Sequence, residues 1–346
     1  MTVKVRTADL RGYVKLLNRN AEANDQVLAY LRQWCGQEMQ AVSSEGLLAK
    51  ALNFHDRIYD DAVTLVTQLG QALRGSAAEL EKAAKLYDGS DEAAKQRFES
   101  SQYVANGTPQ REGWEAGHSG YGDYMNPLDP VSGGTPSYTE FKDPTKFLDK
   151  IAEVSMTGMI MNFIEEATGT NPLQKIVEFL TGDWEAYSRT AGAWRAIGEA
   201  LERIGKNIDR GLASLDHAWD GGASEAAYQA FQALADLFKG MYARFMEVHE
   251  AYEQFAQFAM HTASVLVDTL KMVIDLAIIA IAKRKGVFGD AMAAFYMVKI
   301  VKWVGYIGWT MLTARGTIAT IFGAMAGGGS SPLRGTGVMA YDASGI

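Results

Sequence analysis

The sequence predicts an all-α fold in which two long antiparallel helical hairpins, coiled-coil-like in their seams, are packed together. Three observations lead to this prediction. Apolar residues recur in alternating steps of three and four over residues 183–285, one short tripeptide interrupts that pattern, and residues 1–99 repeat the same organisation. Nearly half of the 346 residues are apolar and only seven are proline, a composition that favours a folded chain long enough for two domains.

The second hairpin is the clearest element, with a helical stripe on each side of Trp219-Asp220-Gly221. The stripe before it consists of Trp194, Ile197, Leu201, Ile204, Ile208, Leu212 and Leu215. The stripe after it consists of Phe231, Leu234, Phe238, Met241, Phe245, Val248, Tyr252, Phe255 and Ala259. Neither helix can bury such a stripe alone, and a connection of a few residues folds the second helix back antiparallel on the first.

The connecting residues carry helix-end signals. Gly221 and Gly222 suit the left-handed position that ends a helix, and Ser224 can cap the helix that follows. Trp219 is then expected at the tip, where its ring either covers the open end of the seam or docks on a partner.

A helix, a Trp-x-Gly turn and a second helix within about one hundred residues resemble the WXG superfamily of type VII (ESX) secretion substrates. The local sequence WDGGASEAAYQAF is similar to variants in larger actinobacterial chains. The resemblance implies a non-enzymatic type VII secretion substrate or partner protein, bound by the secretion ATPase or by related helical-hairpin proteins. It also implies a monomer, in which the two hairpins replace the antiparallel dimer that small members form.

The expected location follows from the same resemblance. The first residues, MTVKVRTADLRGYVK, contain no apolar run that could form a Sec signal-peptide core. Type VII export would therefore place the protein outside the cell or in the envelope, and in the cytoplasm before export.

Residues 1–99 are predicted to form the N-terminal hairpin. A helix over residues 7–35 ends at a second Trp-x-Gly, Trp34-Cys35-Gly36, and a longer helix follows over residues 47–97. Tyr87 and Asp91 match Tyr-x-x-x-Asp/Glu, the secretion signal that the family carries near the end of the second helix. One helical turn separates the two side chains, so a partner could read a ring and a carboxylate together. A core tyrosine beside a solvated charge is the alternative.

The resemblance thus assigns a secretion signal and partner-binding set to the two hairpins. That set is Trp34, Gly36, Tyr87, Asp91, Trp219 and Gly221.

Two connecting regions are predicted between the hairpins. Residues 100–145 hold five of the seven prolines among aromatic residues, which predicts an ordered strap lying across the hairpins. Residues 146–182 are predicted to form short helices, because Asp143-Pro144 and Asn171-Pro172 are cap-plus-proline starts.

The C-terminal part is predicted as an apolar helical segment over residues 286–326 and a flexible tail over residues 327–346. Residues 265–282 read as amphipathic, because charged residues recur there at helical spacing. Residues 303–326 form an apolar run whose single charge is Arg315, and one end of this run holds Trp303, Tyr306 and Trp309. These four residues are candidate membrane contacts. A helix packed on the hairpins is one interpretation. A membrane-active, pore-forming or translocating effector using residues 265–326 is the other.

The composition and the absence of known motifs argue against several other classes of function. The net charge of −8 opposes nucleic-acid binding, although residues 283–346 carry seven basic residues against two acidic ones. The sequence lacks HExxH, GxSxG, P-loop and paired Cys-x-x-Cys motifs, so no active site, cofactor or metal is predicted. A structural subunit that assembles through exposed seams is a further alternative.

Overall fold

The computed structural model describes residues 5–37, 39, 46–89, 120–137, 148, 157–284, 289–326 and 332–333. The helices are α1 (Thr7–Leu31), α2 (Gly46–Gly89), α3 (Thr157–Thr168), α4 (Pro172–Leu180), α5 (Trp184–Asp216), α6 (Gly222–Lys283) and α7 (Gly289–Ala326). Within these ranges no β-strand forms, and an isolated bridge pairs Val5 with Trp219. The predicted all-α fold class is confirmed.

The helices α5 and α6 form an antiparallel hairpin around the Trp219 turn. The Lys239 ammonium lies 3.0 Å from the Asp209 carboxylate near the turn, and His249 Nδ1 lies 2.7 Å from the Ala191 carbonyl oxygen farther from it. Every residue of the two predicted stripes is at most 3% exposed. Burying each large apolar side chain stabilises the fold by about 1.5–3 kcal/mol, so this seam is a principal source of stability.

Glycines allow α5 to approach its neighbours closely. A Cβ built at Gly205 would lie 2.7 Å from the Lys239 nitrogen and 2.8 Å from the Ala235 carbonyl oxygen. Both are backbone atoms of α6, which cannot move aside by a rotamer change. A Cβ at Gly211 would lie 2.2 Å from Leu16 Cδ2 on α1. The absence of a side chain at Gly205 therefore sets the spacing of α5 and α6, and at Gly211 it leaves room for the Leu16 side chain.

The N-terminal hairpin pairs α1 with α2, also antiparallel. The Asn24 amide donates to the Val66 carbonyl at 2.9 Å, whereas Arg11 near the start of α1 pairs with Asp88 at the end of α2. The α-helical part of the first helix ends at Leu31, earlier than predicted, and Arg32–Gln37 continue as a π-helical segment. The second helix is described as far as Gly89, so the predicted extension to residue 97 lies outside the described residues.

The two hairpins pack through α1 and α5. The Tyr13 hydroxyl donates to the Ile208 carbonyl at 3.1 Å, and its ring meets Phe231 edge-on at 5.0 Å. The buried Asn207 amide donates to Asn20 Oδ1 at 3.2 Å. One continuous core therefore spans both hairpins.

Residues 120–137 cross α1 and α5 as a strap. Asn207 Oδ1 accepts from the Met125 N–H, and Asn207 Nδ2 donates to the Met125 carbonyl, both at 2.9 Å. These two bonds satisfy the Met125 backbone as a neighbouring β-strand would. Arg203 pairs with Asp129 at 2.8 Å, and Arg19 pairs with Asp123 at 3.2 Å. These contacts fix an irregular segment that has no helix of its own.

The helices α4 and α7 complete the bundle. Asn171 caps α4 by accepting from the Gln174 N–H at 3.1 Å, as its Asn-Pro start predicts, whereas Asp143-Pro144 lies outside the described residues. Residues 265–282 continue α6 without a break. The α7 helix packs mainly on α6, where the Phe322 ring lies 5.5 Å from Tyr252. Among the described helices, none combines the length and apolar content that a membrane span requires.

The close contact at Gly205 gives a direct test of the packing. Gly205→Ala is expected to lower the free energy of unfolding by about 1–3 kcal/mol, because the new methyl group forces α5 and α6 apart. Chemical denaturation followed by circular dichroism measures the change. Gly240→Ala is the matched control, since a Cβ there meets no atom within 4 Å and alanine gains up to about 1 kcal/mol of helix propensity. Equal behaviour of the two variants would contradict this account.

Candidate functional site

The turn between α5 and α6 has a geometry that depends on glycine. Gly221 has a φ of 130° and a ψ of −178°, a conformation that residues with a side chain rarely adopt, and it directly precedes α6. The Ser224 hydroxyl donates to the Trp219 carbonyl at 2.6 Å. Ser224 therefore ties the first turn of α6 to the tryptophan, and the prediction that it caps α6 is wrong because Gly221 occupies that position.

The Trp219 ring lies inside the protein against the end of α2. Its indole N–H donates to the Tyr87 hydroxyl at 3.1 Å, and the two rings meet edge-on at a centroid distance of 5.9 Å. Trp219 is 1% exposed and Tyr87 is 3% exposed. The structure thus joins two residues of the predicted secretion signal that are 132 positions apart and belong to different hairpins.

The start of the described chain closes the same end of the bundle. The Arg6 N–H donates to the Ala218 carbonyl at 2.9 Å, beside the bridge between Val5 and Trp219. On α1, Arg11 pairs with Asp88 on α2. Three separate parts of the sequence therefore converge on Trp219.

A partner that approaches this end meets polar and backbone groups rather than aromatic rings. Asp220 and Gly221 are exposed at the turn, and the Asp88 side chain is 43% exposed. Asp91, the acidic member of the predicted signal, lies outside the described residues. The rings hold these segments together, and the described groups exposed around them include the turn backbone, the carboxylates, His217 and the Arg6 side chain.

The first Trp-x-Gly occupies a different place. Trp34 and Gly36 lie in the π-helical segment, at the opposite end of α1, which is about 37 Å long at 1.5 Å per residue. The Trp34 carbonyl accepts from the Thr190 hydroxyl at 2.8 Å, and a Cβ at Gly36 would lie 2.7 Å from the Tyr59 hydroxyl. Both residues serve close packing there, and the structure does not bring them to Tyr87 and Trp219.

A buried histidine lies near this segment, and no local sequence signal predicts its role. His55 Nε2 lies 2.6 Å from the Cys35 carbonyl oxygen, and Nδ1 contacts the Tyr252 hydroxyl. Because a carbonyl only accepts, Nε2 carries the hydrogen and Nδ1 accepts from Tyr252. Burial lowers the pKa of His55 from 6.5 to about 4, although the Cys35 carbonyl opposes this shift. Burial also raises the pKa of the Cys35 thiol.

The candidate membrane contacts lie on α7. The Trp303, Tyr306 and Trp309 rings form a ladder with centroid distances of 5.7 Å at each step. Trp303 is half-buried, Trp309 is 59% exposed, and the Arg315 guanidinium lies 5.8 Å from the centre of the Phe179 ring. The Arg315 side chain therefore lies on the surface of the bundle and not in its core.

No group of three His, Cys, Asp or Glu side chains in the described part of the chain could hold a metal ion. His249 and Glu253 lie 3.4 Å apart as an i,i+4 pair on α6, and no further ligand joins them there.

The Tyr87 hydroxyl gives a test of the contact that closes this end. Tyr87→Phe removes the acceptor of a buried indole N–H, and we expect a loss of about 1–3 kcal/mol in unfolding free energy with the fold retained. Urea denaturation measures this change in unfolding free energy. Tyr242→Phe, which removes the hydroxyl of a 36% exposed tyrosine, is expected to change little. An unchanged Tyr87→Phe protein would show that the hydrogen bond contributes nothing.

The buried imidazole makes stability depend on pH. Its pKa is lower in the fold than in the unfolded chain, so the unfolded chain binds the proton first as pH falls. His55 therefore contributes its full stability above pH 6.5 and loses it between pH 6.5 and about 4, on the order of 3 kcal/mol.

The measurement is the unfolding free energy at several pH values in that window. His55→Gln is expected to flatten its pH dependence relative to the parent protein. His261→Gln, which changes an exposed histidine, keeps the parent slope. Parallel curves for the parent and His55→Gln would refute this role for His55.

Comparison with known families places the Trp219 turn within a defined domain. The model of the WXG100-like domain matches residues 182–304, which include α5, α6 and the first part of α7. No curated protein and no solved structure matches the chain. The resemblance expected from the Trp-x-Gly hairpin is confirmed. Residues 182–304 form a WXG100-like domain, and this relates the chain to the WXG100 superfamily.

Proposed function

We propose that the chain is a type VII secretion substrate or partner protein, recognised at the end of the bundle where α2 meets the Trp219 turn. A WXG100-like domain indicates a protein related to type VII secretion, and members of this helical family are secretion substrates rather than enzymes. The observation that carries the proposal is the hydrogen bond between Trp219 and Tyr87, because it joins the Trp-x-Gly of one hairpin to the tyrosine signal of the other.

The intramolecular packing supports a monomer as the unit that is recognised. Small family members reach a four-helix arrangement through dimerisation, as the resemblance implies. Here α1 packs on α5 within one chain, through Tyr13 and the Asn20–Asn207 pair. The seam that a second chain would cover is thus already occupied, and the two signals come from one molecule.

Recognition in this proposal reads the surface that the buried rings organise. The Tyr87 ring lies too deep for direct contact, so its role is to hold the end of α2 against the turn. Among the described residues, the exposed Asp88 and the backbone at Gly221 are the groups offered to the secretion ATPase or to another helical-hairpin protein. The Tyr-x-x-x-Asp match adds Asp91 to this set from the sequence. Trp34 and Gly36 are not part of this surface.

Export by this route would place the protein outside the cell or in the envelope, with a cytoplasmic pool before export. The membrane-active role considered for residues 265–326 is not part of this proposal. No reaction is assigned to the chain.

Export of an Asp91→Ala variant tests the proposal. We expect secretion to fall at least about tenfold with unchanged thermal stability, because losing a hydrogen-bonded charge at an interface costs about 1.5–3 kcal/mol. The measurement is the ratio of protein in the culture supernatant to protein in cells, with and without the secretion ATPase.

Controls separate recognition from folding. Asp275→Ala removes an exposed carboxylate from α6 and is expected to leave export unchanged. Tyr87→Ala is a poor probe, because deleting a buried ring destabilises the fold as well. Normal export of Asp91→Ala would remove the signal assignment, and export that continues without the ATPase would overturn the proposed route.

A further inference from the structure

The outer face of α7 exposes large apolar side chains. We define it by Phe295, Val298, Val301, Trp309 and Leu312, which are between 50% and 71% exposed. The opposite side of the helix packs on the bundle through Ala293, Ile300, Ile307, Ala314 and Ile318, each at most 7% exposed. Contiguous exposed apolar surface of this kind marks an interaction site in soluble proteins.

The outer face is broad and shallow. At 100° per residue, its five defining residues together with Tyr306 and Gly308 span about 160° of the helix surface. A Cβ built at Gly305, Gly308 or Gly316 meets no atom within 4 Å, so these glycines add no packing on the bundle. An arc this wide exceeds the narrow seam that one partner helix covers.

Basic side chains border the outer face on both sides. Lys299 lies along one border and Arg315 along the other, and Lys302 lies within the arc between Trp309 and Phe295. The Lys299 ammonium is 4.4 Å from the centre of the Phe295 ring, so its charge sits directly over the face. No aspartate or glutamate occurs over residues 291–326, and among the described residues neither lysine forms an ion pair.

The charge of the remaining chain decides which side of the molecule turns towards an anionic surface. The whole chain carries −8, whereas α7 carries three basic residues and one acidic residue. An anionic surface therefore repels most of the molecule and attracts α7. This electrostatic attraction alone would orient the outer face towards such a surface.

We propose that the outer face of α7 docks on an anionic lipid membrane, with the helix lying in the plane of the interface. Leu312, Val298 and Phe295 enter the boundary between headgroups and acyl chains, and Lys299 and Lys302 meet lipid phosphates. Trp309 takes the interfacial position that amphipathic rings favour. This inference goes beyond the proposed secretion role and does not depend on it.

A second copy of the chain fits the same face less well. Two α7 helices packed face to face would bring Lys299 and Lys302 of both copies to one seam that contains no carboxylate. Like charges placed together there oppose association. An anionic membrane supplies the counter-charge along the whole border.

Vesicle flotation of the full chain tests the proposal. The chain is expected to float with vesicles of phosphatidylcholine mixed with phosphatidylglycerol and to remain unbound with phosphatidylcholine alone. Lys299→Glu/Lys302→Glu is expected to weaken binding at least about tenfold, because each basic residue near an anionic surface strengthens binding about fivefold. Val298→Glu/Leu312→Glu is expected to abolish flotation.

Matched controls carry the same substitutions elsewhere on the surface. Lys82→Glu/Lys85→Glu on α2 reverses two exposed lysines at the same spacing, and Val177→Glu on α4 charges an exposed valine. Both control variants are expected to float like the parent protein. Circular dichroism establishes that every variant is folded.

Three results would overturn the proposal. The first is no flotation of the parent chain with either vesicle. The second is equal loss of flotation in the α2 control and the α7 variant. The third is a dimer in analytical ultracentrifugation that Val298→Glu converts to monomer, which would assign the outer face to a second copy of the chain.

Discussion

The close approach of α5 to its neighbours is the constraint on which the architecture depends. This helix is buried on most of its circumference, because α1, α6 and the strap of residues 120–137 each cover one side. Gly205 lets the α6 backbone come within a distance that a methyl group would block, and Gly211 leaves room for the Leu16 and Tyr13 side chains of α1. Asn207 then satisfies its own polar groups with Met125 and Asn20, so this buried amide is fully hydrogen-bonded. The position of the Trp219 turn follows from this packing.

Joining two hairpins in one chain changes what a Trp-x-Gly turn can offer a partner. Trp219 and Tyr87 stabilise each other inside the protein, and the described groups at the surface include the turn backbone, nearby carboxylates and Arg6. The recognition surface of the proposed function would form only when both hairpins are folded and docked. Folding and recognition are thereby linked, because any change that separates α2 from the turn also removes the composite surface.

The sequence predicts the parts of this fold that have a local cause. Alternating steps of three and four place Phe231 to Ala259 on one buried stripe, and Asn171-Pro172 starts a helix where the cap and proline rules expect one. The contact between Tyr87 and Trp219 has no local cause, since it depends on how two hairpins dock across 132 positions. The same holds for His55, whose partners Tyr252 and Cys35 lie on other elements. Helical periodicity reports which face is apolar, but not which helix covers it.

The helix α6 has a mechanical consequence. It runs for 62 residues, about 93 Å, and pairs with α5 along its first half and with α7 from its midpoint onwards. Tension applied from the C-terminus would separate α7 from α6 first, breaking the contacts of one side chain after another. The α5–α6 seam, loaded only afterwards, would resist longer. A translocating motor that grips this chain from the α7 end would therefore meet the weaker pairing before the stronger one.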